Sequence, residues 1–145
     1  ALDGVSSIHV FARRTSRFWD RTQALADTIN RTLPCRVLLH ENEDLNALKN
    51  AVSESAILVN ATSVGMAPNP EASIITDTSL FRPELIVSDV IYNPRKTRLL
   101  QEAEKAGCPV FNGMYMLLYQ GAEAFRLFTG KEMPTETIKE KFFAD

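Results

Sequence analysis

The chain has 145 residues, 45% of them hydrophobic, and 16 basic against 18 acidic side chains leave a net charge of −2. That length points to one domain able to bury a working core, and the near-balanced charge excludes nucleic-acid binding by bulk electrostatics. No apolar run approaches the roughly 20 residues of a membrane span, and no secretory apolar region is present at the start of the sequence.

Residues 1–5, Ala-Leu-Asp-Gly-Val, read as the end of a helix with Gly4 just past its cap. Ile8 to Ala12 is the first strand. A helix follows from about Ser16 to Thr32, with Ser16 as N-cap, Phe18, Leu25 and Ile29 on an apolar stripe, and Pro34 as its stop. Arg36 to Leu39 is the second strand, and Asp44 caps a helix through Leu45, Leu48 and Val52. The nearly all-apolar runs Ala56 to Asn60 and Leu85 to Val90 fit strands of a parallel sheet covered on both faces. An irregular loop with Gly65, Pro68 and Pro70 lies between them. A helix from about Lys96 to Ala106 ends at Gly107. Pro109 to Phe111 is a short last strand, Met114 to Phe128 a long helix ending at Gly130, and a final helix starts after Met133 at Pro134. Cys35 and Cys108 each precede a strand, have no metal-ligand spacing, and read as buried reduced thiols suited to a cytoplasmic protein. His9 and His40 fall in strands as structural or surface residues.

Strands alternating with helices predict an α/β fold, a Rossmann-like doubly wound parallel sheet with a C-terminal helical extension. Such a sheet begins with a central strand and a glycine loop before the helix whose tail residues 1–5 resemble. Neither is in the sequence. Residues 1–145 are therefore expected to be the C-terminal part of a dinucleotide-binding domain from a longer polypeptide.

Ligands of open parallel sheets bind beyond the carboxyl ends of the strands. Asn60-Ala61-Thr62, Asp89 to Tyr92 and Asn112-Gly113 all follow strand ends and are expected on one rim. Gly113 lets backbone approach a flat ring with no Cβ in the way. Thr62 can offer its hydroxyl to a ligand or cap a turn, and Asn60 can meet a ligand or order its own loop. Met116 and Gln120 are four apart on one helix face.

Four segments carry a family resemblance. Asn60-Ala61-Thr62-Ser63-Val64-Gly65-Met66 resembles the Asn-Ala-Thr-x-x-Gly-Met loop of shikimate dehydrogenases, and Asp89-Val90-Ile91-Tyr92 their Asp-x-x-Tyr segment. Gly113 to Ala122 is similar to their Gly-x-x-Met-Leu-x-x-Gln-x-Ala helix start, and Phe125 to Gly130 to their Phe-x-x-Trp-x-Gly ending, with Phe128 in place of Trp. The resemblance covers essentially the whole chain and includes the quinate/shikimate branch. It implies reversible NADP-dependent hydride transfer between shikimate and 3-dehydroshikimate, in the cytoplasm. It assigns Gly113, the backbone near Val90, and Met116 to the nicotinamide pocket, with ordinary helix packing the other reading of Met116; Asn60, Ala61 and Thr62 are further candidate cofactor contacts. It assigns Tyr92 and Gln120 to the substrate, where a phenol and an amide supply directed hydrogen bonds. The proton-handling Lys and Asp of the family belong to an N-terminal substrate domain that this sequence lacks, so no catalytic acid or base is assigned here. No membrane or nucleic acid is an expected partner; a homodimer is compatible.

The end of the first strand here decides the nucleotide. NAD-binding domains place an acid there; this chain reads Ala12-Arg13-Arg14-Thr15-Ser16-Arg17, with no acid before Asp20. Guanidinium groups and hydroxyls at Arg13, Arg14, Ser16 and Arg17 suit a 2′-phosphate. Arg13 and Arg17 match the family's Asn-Arg-x-x-x-Arg pattern, although Ala12 replaces its Asn. NAD is the alternative cofactor, through an NAD-type quinate/shikimate enzyme. A non-catalytic nucleotide-binding module is the alternative from another class. The Tyr92 and Gln120 segments argue against a methylene-tetrahydrofolate dehydrogenase type.

Overall fold

The computed structural model describes residues 1–143. Its elements run β1 (Ser7–Ala12), α1 (Trp19–Thr32), β2 (Arg36–Glu41), α2 (Leu45–Glu54), β3 (Ile57–Asn60), β4 (Ile86–Asp89), α3 (Arg98–Lys105), β5 (Val110–Phe111), α4 (Met114–Thr129) and α5 (Thr135–Phe142). This is the expected alternation of strands and helices, with the expected C-terminal helix. The chain divides into two compact units, Ala1–Glu54 and Ser55–Asp145.

In the first unit β1 and β2 pair in parallel, from Ser7 opposite Arg36 to Ala12 opposite Glu41. Ile8, Val10 and Val37 share one face of this pair, and with Ala26, Ile29, Leu33 and Cys35 they form an apolar cluster under α1. The turn from α1 into β2 is fixed by a reciprocal amide contact. Asn30 Nδ2 donates to the Val37 carbonyl at 3.0 Å, and Val37 N donates to Asn30 Oδ1 at 2.7 Å.

Two local expectations need correction. Residues 1–5 are not helical; they make a turn in which Gly4 N donates to the Ala1 carbonyl, with Gly4 at φ +88°. The positive φ of Gly4 was legible in the sequence, whereas residues 1–5 adopt a turn and not a helix end. The α1 helix begins at Trp19 rather than Ser16. Ser16 Oγ instead accepts from Phe18 N at 3.2 Å, and Ser16 N donates to the Arg13 carbonyl, so residues 13–18 are spent on consecutive turns. Serine competes well for such local bonds.

The opposite face of the pair carries His9, Phe11 and His40. His9 Nδ1 lies 3.0 Å from His40 Nε2 with the ring planes within 6°, an edge-to-edge imidazole pair, and Phe11 stacks on His40 at 4.7 Å. Burial, helped by His9 and opposed by Asp44, holds the His40 pKa below its ordinary value. A histidine whose folded pKa lies below its unfolded one favours the unfolded chain once protons bind. Its stabilising contribution is complete above about pH 6.5 and is lost as pH falls through the folded value. Urea unfolding followed by the fluorescence of Trp19, the single tryptophan, should therefore show a lower midpoint at about pH 5.5 than at about pH 7.5. His40→Gln should flatten that difference; an unchanged slope in the variant would assign it to other groups.

In the second unit β3, β4 and β5 form a parallel sheet in that order, with Asn60 opposite Asp89 and Ser88 opposite Phe111. Helix α3 packs on β4 and β5, and Leu85, Val87, Leu99, Leu100 and Ala103 are buried. Burying a leucine side chain contributes about 2 kcal/mol, so this small cluster anchors the unit. The expectation of cover on both faces is met on one only. Ile57, Val59 and Phe111, which share the other face, are each more than half exposed. Helix α4 ends at Gly130 in the left-handed region, and α5 packs back on it. Lys139 Nζ sits over Tyr115 and Tyr119, and Arg95 Nη2 donates to the Phe142 carbonyl at 2.9 Å.

Candidate cofactor and substrate site

The carboxyl ends of β3 and β4 meet in one hydrogen-bonded hub. Asn60 and Asp89 are both 1% exposed. Both amide protons of Asn60 are used: Nδ2 donates to the Val64 carbonyl at 3.0 Å and to the Asp89 carboxylate at 3.1 and 3.2 Å. Asn60 Oδ1 accepts from Thr62 N and from Thr62 Oγ1, and Thr62 Oγ1 in turn accepts from Val64 N at 3.1 Å. The two readings of Asn60 and Thr62 thus acquire a structural component: both side chains order residues 60–64. Thr62 remains exposed, so its hydroxyl is within reach of a ligand, whereas the Asn60 side chain is enclosed.

Gly65 completes this loop at φ +101°, and a Cβ there would stand 3.3 Å from Thr97 Cβ. Both the backbone conformation and the crowding favour glycine.

Next along the rim, Ile91 N donates to Asp89 Oδ1 at 2.9 Å. Gly113 N donates to the Ile91 carbonyl at 2.9 Å. A Cβ on Gly113 would fall 2.0 Å from the Val90 carbonyl oxygen, so the backbone of β5's end lies directly on that of β4's end. Gly113 has φ −75°; the close approach, not the dihedral, requires glycine. Asn112 supports the junction, donating to the Arg95 carbonyl and accepting from Met114 N.

Tyr92 follows Ile91 and is 45% exposed; Met116 is 46% exposed and Gln120 is exposed one turn further along α4. A half-exposed methionine on the first turn of α4 is available to a ligand rather than enclosed in helix packing.

The basic residues proposed for the 2′-phosphate stand in the first unit, between β1 and α1. Arg13, Arg14 and Arg17 are exposed. Arg17 lies over the Phe18 ring at 4.6 Å, while Arg14 lies over Trp19 at 4.7 Å with its Nε 3.9 Å from Glu41 Oε1. Sequence reading passed over that carboxylate, which ends β2.

It also passed over Thr97. This threonine is 1% exposed, caps α3 through Leu100 N, and donates to Asp89 Oδ2 at 2.8 Å. Its signal was available: a threonine directly before Arg98-Leu99-Leu100 marks a helix start, one residue beyond the expected start near Lys96. Among the described residues no buried side-chain nitrogen or oxygen lacks a partner, and no three metal-ligating side chains cluster. No helix among them is long and apolar enough to cross a membrane.

Residues 113–141 match the family model of the shikimate 5′-dehydrogenase C-terminal domain. A shikimate dehydrogenase (NADP(+)) of Listeria monocytogenes is 45% identical over 143 residues, which is 99% of this chain. The chain belongs to the shikimate dehydrogenase family. A crystal structure of shikimate 5-dehydrogenase from Listeria monocytogenes, in complex with shikimate and NAD, superposes with a TM-score of 0.88 at 45% identity over 97% of this chain and 48% of that one. Quinate dehydrogenase from Corynebacterium glutamicum in complex with NAD is 32% identical, with a TM-score of 0.79 over 98% of this chain and 48% of that one. The chain thus spans about half the length of the curated relatives it matches, 49% for the first of them. These relatives share the α/β architecture, and they carry both nucleotides in their names and complexes.

Proposed function

We propose that this chain forms the cofactor-binding part of an NADP-dependent shikimate dehydrogenase, which moves a hydride reversibly between shikimate and 3-dehydroshikimate. The observation that carries this reading is the rim at the ends of β4 and β5, where Gly113, lacking a Cβ, lets the backbone of β5's end lie directly on Val90, close in the chain to the half-exposed Tyr92 and Met116. Such a surface fits a nicotinamide, which when bound accepts the hydride from the C3 carbon of shikimate.

Thr62, Ala61 and Met116 would hold the ring, and the Asn60 side chain orders the loop that carries Ala61 and Thr62. Tyr92 and Gln120 bond the hydroxyl and carboxylate groups of the substrate, whose polar pattern discriminates more strongly than apolar fit does. Arg13, Arg17, Ser16 and Arg14 receive the adenosine 2′-phosphate, since guanidinium groups offer planar charged donors. The proton of the C3 hydroxyl is handled by residues of a substrate domain in the rest of the polypeptide, so the 145-residue chain alone is expected to be inactive.

The second reading, an NAD-dependent quinate/shikimate enzyme, is favoured by the NAD complexes of the two solved relatives. Initial rates of cofactor reduction with shikimate, on the complete polypeptide that carries this chain, separate the two. A rate with NADP⁺ well above that with NAD⁺ is the expected result. A rate with NAD⁺ alone keeps the family and removes the phosphate role of the arginines; no rate with either removes the enzymatic reading and leaves a nucleotide-binding module.

A further inference from the structure

The Asp89 carboxylate is buried with no cation among its hydrogen-bond partners. Those partners come from three separate segments: the Asn60 amide at the end of β3, the Ile91 N–H on the rim, and the Thr97 hydroxyl at the start of α3. For stability alone, an enclosed charge is a poor choice against an apolar side chain of similar size. What the carboxylate does achieve is placement. It draws the Ile91 N–H inward, while the Ile91 carbonyl is held by Gly113 N and the Val90 carbonyl abuts Gly113. The peptide between Val90 and Ile91 is thus fixed from several directions. The orientation of the Asp89 carboxylate about its own axis is shared between the Asn60 amide, which meets both oxygens, the Ile91 N–H on Oδ1 and the Thr97 hydroxyl, whose 2.8 Å bond to Oδ2 is the shortest of them.

We propose that Asp89 and Thr97 are positioning residues of the nicotinamide site: the Thr97 hydroxyl sets the Asp89 carboxylate, and the carboxylate sets the Val90–Ile91 peptide against which the ring lies. Neither touches the cofactor. The inference rests on the reading of this chain as the cofactor half of a shikimate dehydrogenase. Hydride transfer is steep in the distance and angle between donor and acceptor carbons, and a misplacement of about 1 Å can cost about a hundredfold. Binding of the whole dinucleotide depends far less on the tilt of one ring, because the phosphates and the adenosine supply most of its contacts.

The test uses single-turnover kinetics of the complete polypeptide, with Thr97→Val and Thr97→Ser compared with the unaltered enzyme. The rate constant of hydride transfer is expected to fall about tenfold in Thr97→Val, with the amplitude per cofactor site and the dissociation constant for NADP⁺ unchanged. Thr97→Ser, which keeps the hydroxyl, is expected to restore the rate constant. A merely structural role would lower the amplitude, as sites are lost to unfolding, and leave the rate constant alone; that result overturns the proposal, as does an unaltered rate constant and amplitude. Should Thr97→Val fail to fold, Thr97→Cys carries the test, since a thiol fills nearly the same space as a weaker donor; its rate constant must then lie below that of the unaltered enzyme. If the unaltered enzyme turns over shikimate with neither cofactor, the underlying functional reading falls and this inference with it, an outcome distinct from a normal Thr97→Val.

Discussion

Gly113→Ala is expected to be the most damaging single methyl addition in the second unit, lowering its stability by about 3 kcal/mol or more. The new Cβ would lie 2.0 Å from the Val90 carbonyl oxygen and 2.5 Å from the Val90 carbonyl carbon. Both obstacles are backbone, so no side-chain rotation relieves them. Relief requires β5's end to move away from β4's end, which breaks the Gly113 N to Ile91 carbonyl bond and opens the surface proposed for the nicotinamide. Thermal unfolding of the variant measures the stability loss, and a titration with cofactor on the complete polypeptide measures the second effect. Gly121→Ala is the matched control. It sits inside α4 with nothing within 4 Å of the added Cβ, and alanine is the better helix former by about 0.5–1 kcal/mol. Its expected effect is a small gain. Equal behaviour of the two variants would mean that the close approach at Gly113 is not what requires glycine.

The contrast between these two glycines marks what sequence can and cannot convey. Both lie in the segment that resembles the family's helix start, where Gly113 occupies a motif position and Gly121 does not. Whether a Cβ collides depends on a neighbour 23 residues earlier in the chain, Val90 against Gly113, and that is decided by tertiary packing. The parallel strands were legible because an apolar run of four to six residues bounded by turn residues has few other uses. The ends of α3 and α4 were legible for a different reason: Gly107 and Gly130 adopt φ +86° and +68°, which glycine reaches without the penalty other residues pay.

Helix starts were less legible. At Ser16, hydroxyl-to-backbone bonds serve a turn as readily as a helix cap, and the turn prevailed. At Thr97 the cap was present in the sequence but stood one residue beyond the expected start near Lys96. The hub itself was half visible. Asn60 and Asp89 stood out in their motifs, yet their mutual bond follows from the β3–β4 register, in which Asn60 lies directly opposite Asp89. The histidine pair is of the same kind. His9 and His40 are 31 residues apart, and only the parallel pairing of β1 with β2 brings the rings edge to edge.

Substituting Arg13 and Arg17 together by alanine is expected to lower kcat/KM with NADP⁺ about a hundredfold, a size set by losing two charge-assisted bonds to a phosphate. The same variant should use NAD⁺ within about threefold of the unaltered enzyme, because NAD⁺ has only a hydroxyl at that position. Arg14→Ala supplies the comparison. Its guanidinium already lies over Trp19 and faces Glu41 at 3.9 Å, so part of its charge is answered within the protein, and its loss should affect NADP⁺ less than the double variant does. Glu41→Ala probes the same balance from the other side: removing the carboxylate releases Arg14 and should raise preference for NADP⁺. Steady-state kinetics with both nucleotides on the complete polypeptide reads all of these at once. If the double variant changes NADP⁺ and NAD⁺ use equally, the arginines hold no 2′-phosphate, and the exposed basic turn between β1 and α1 is a solvated helix approach and nothing more.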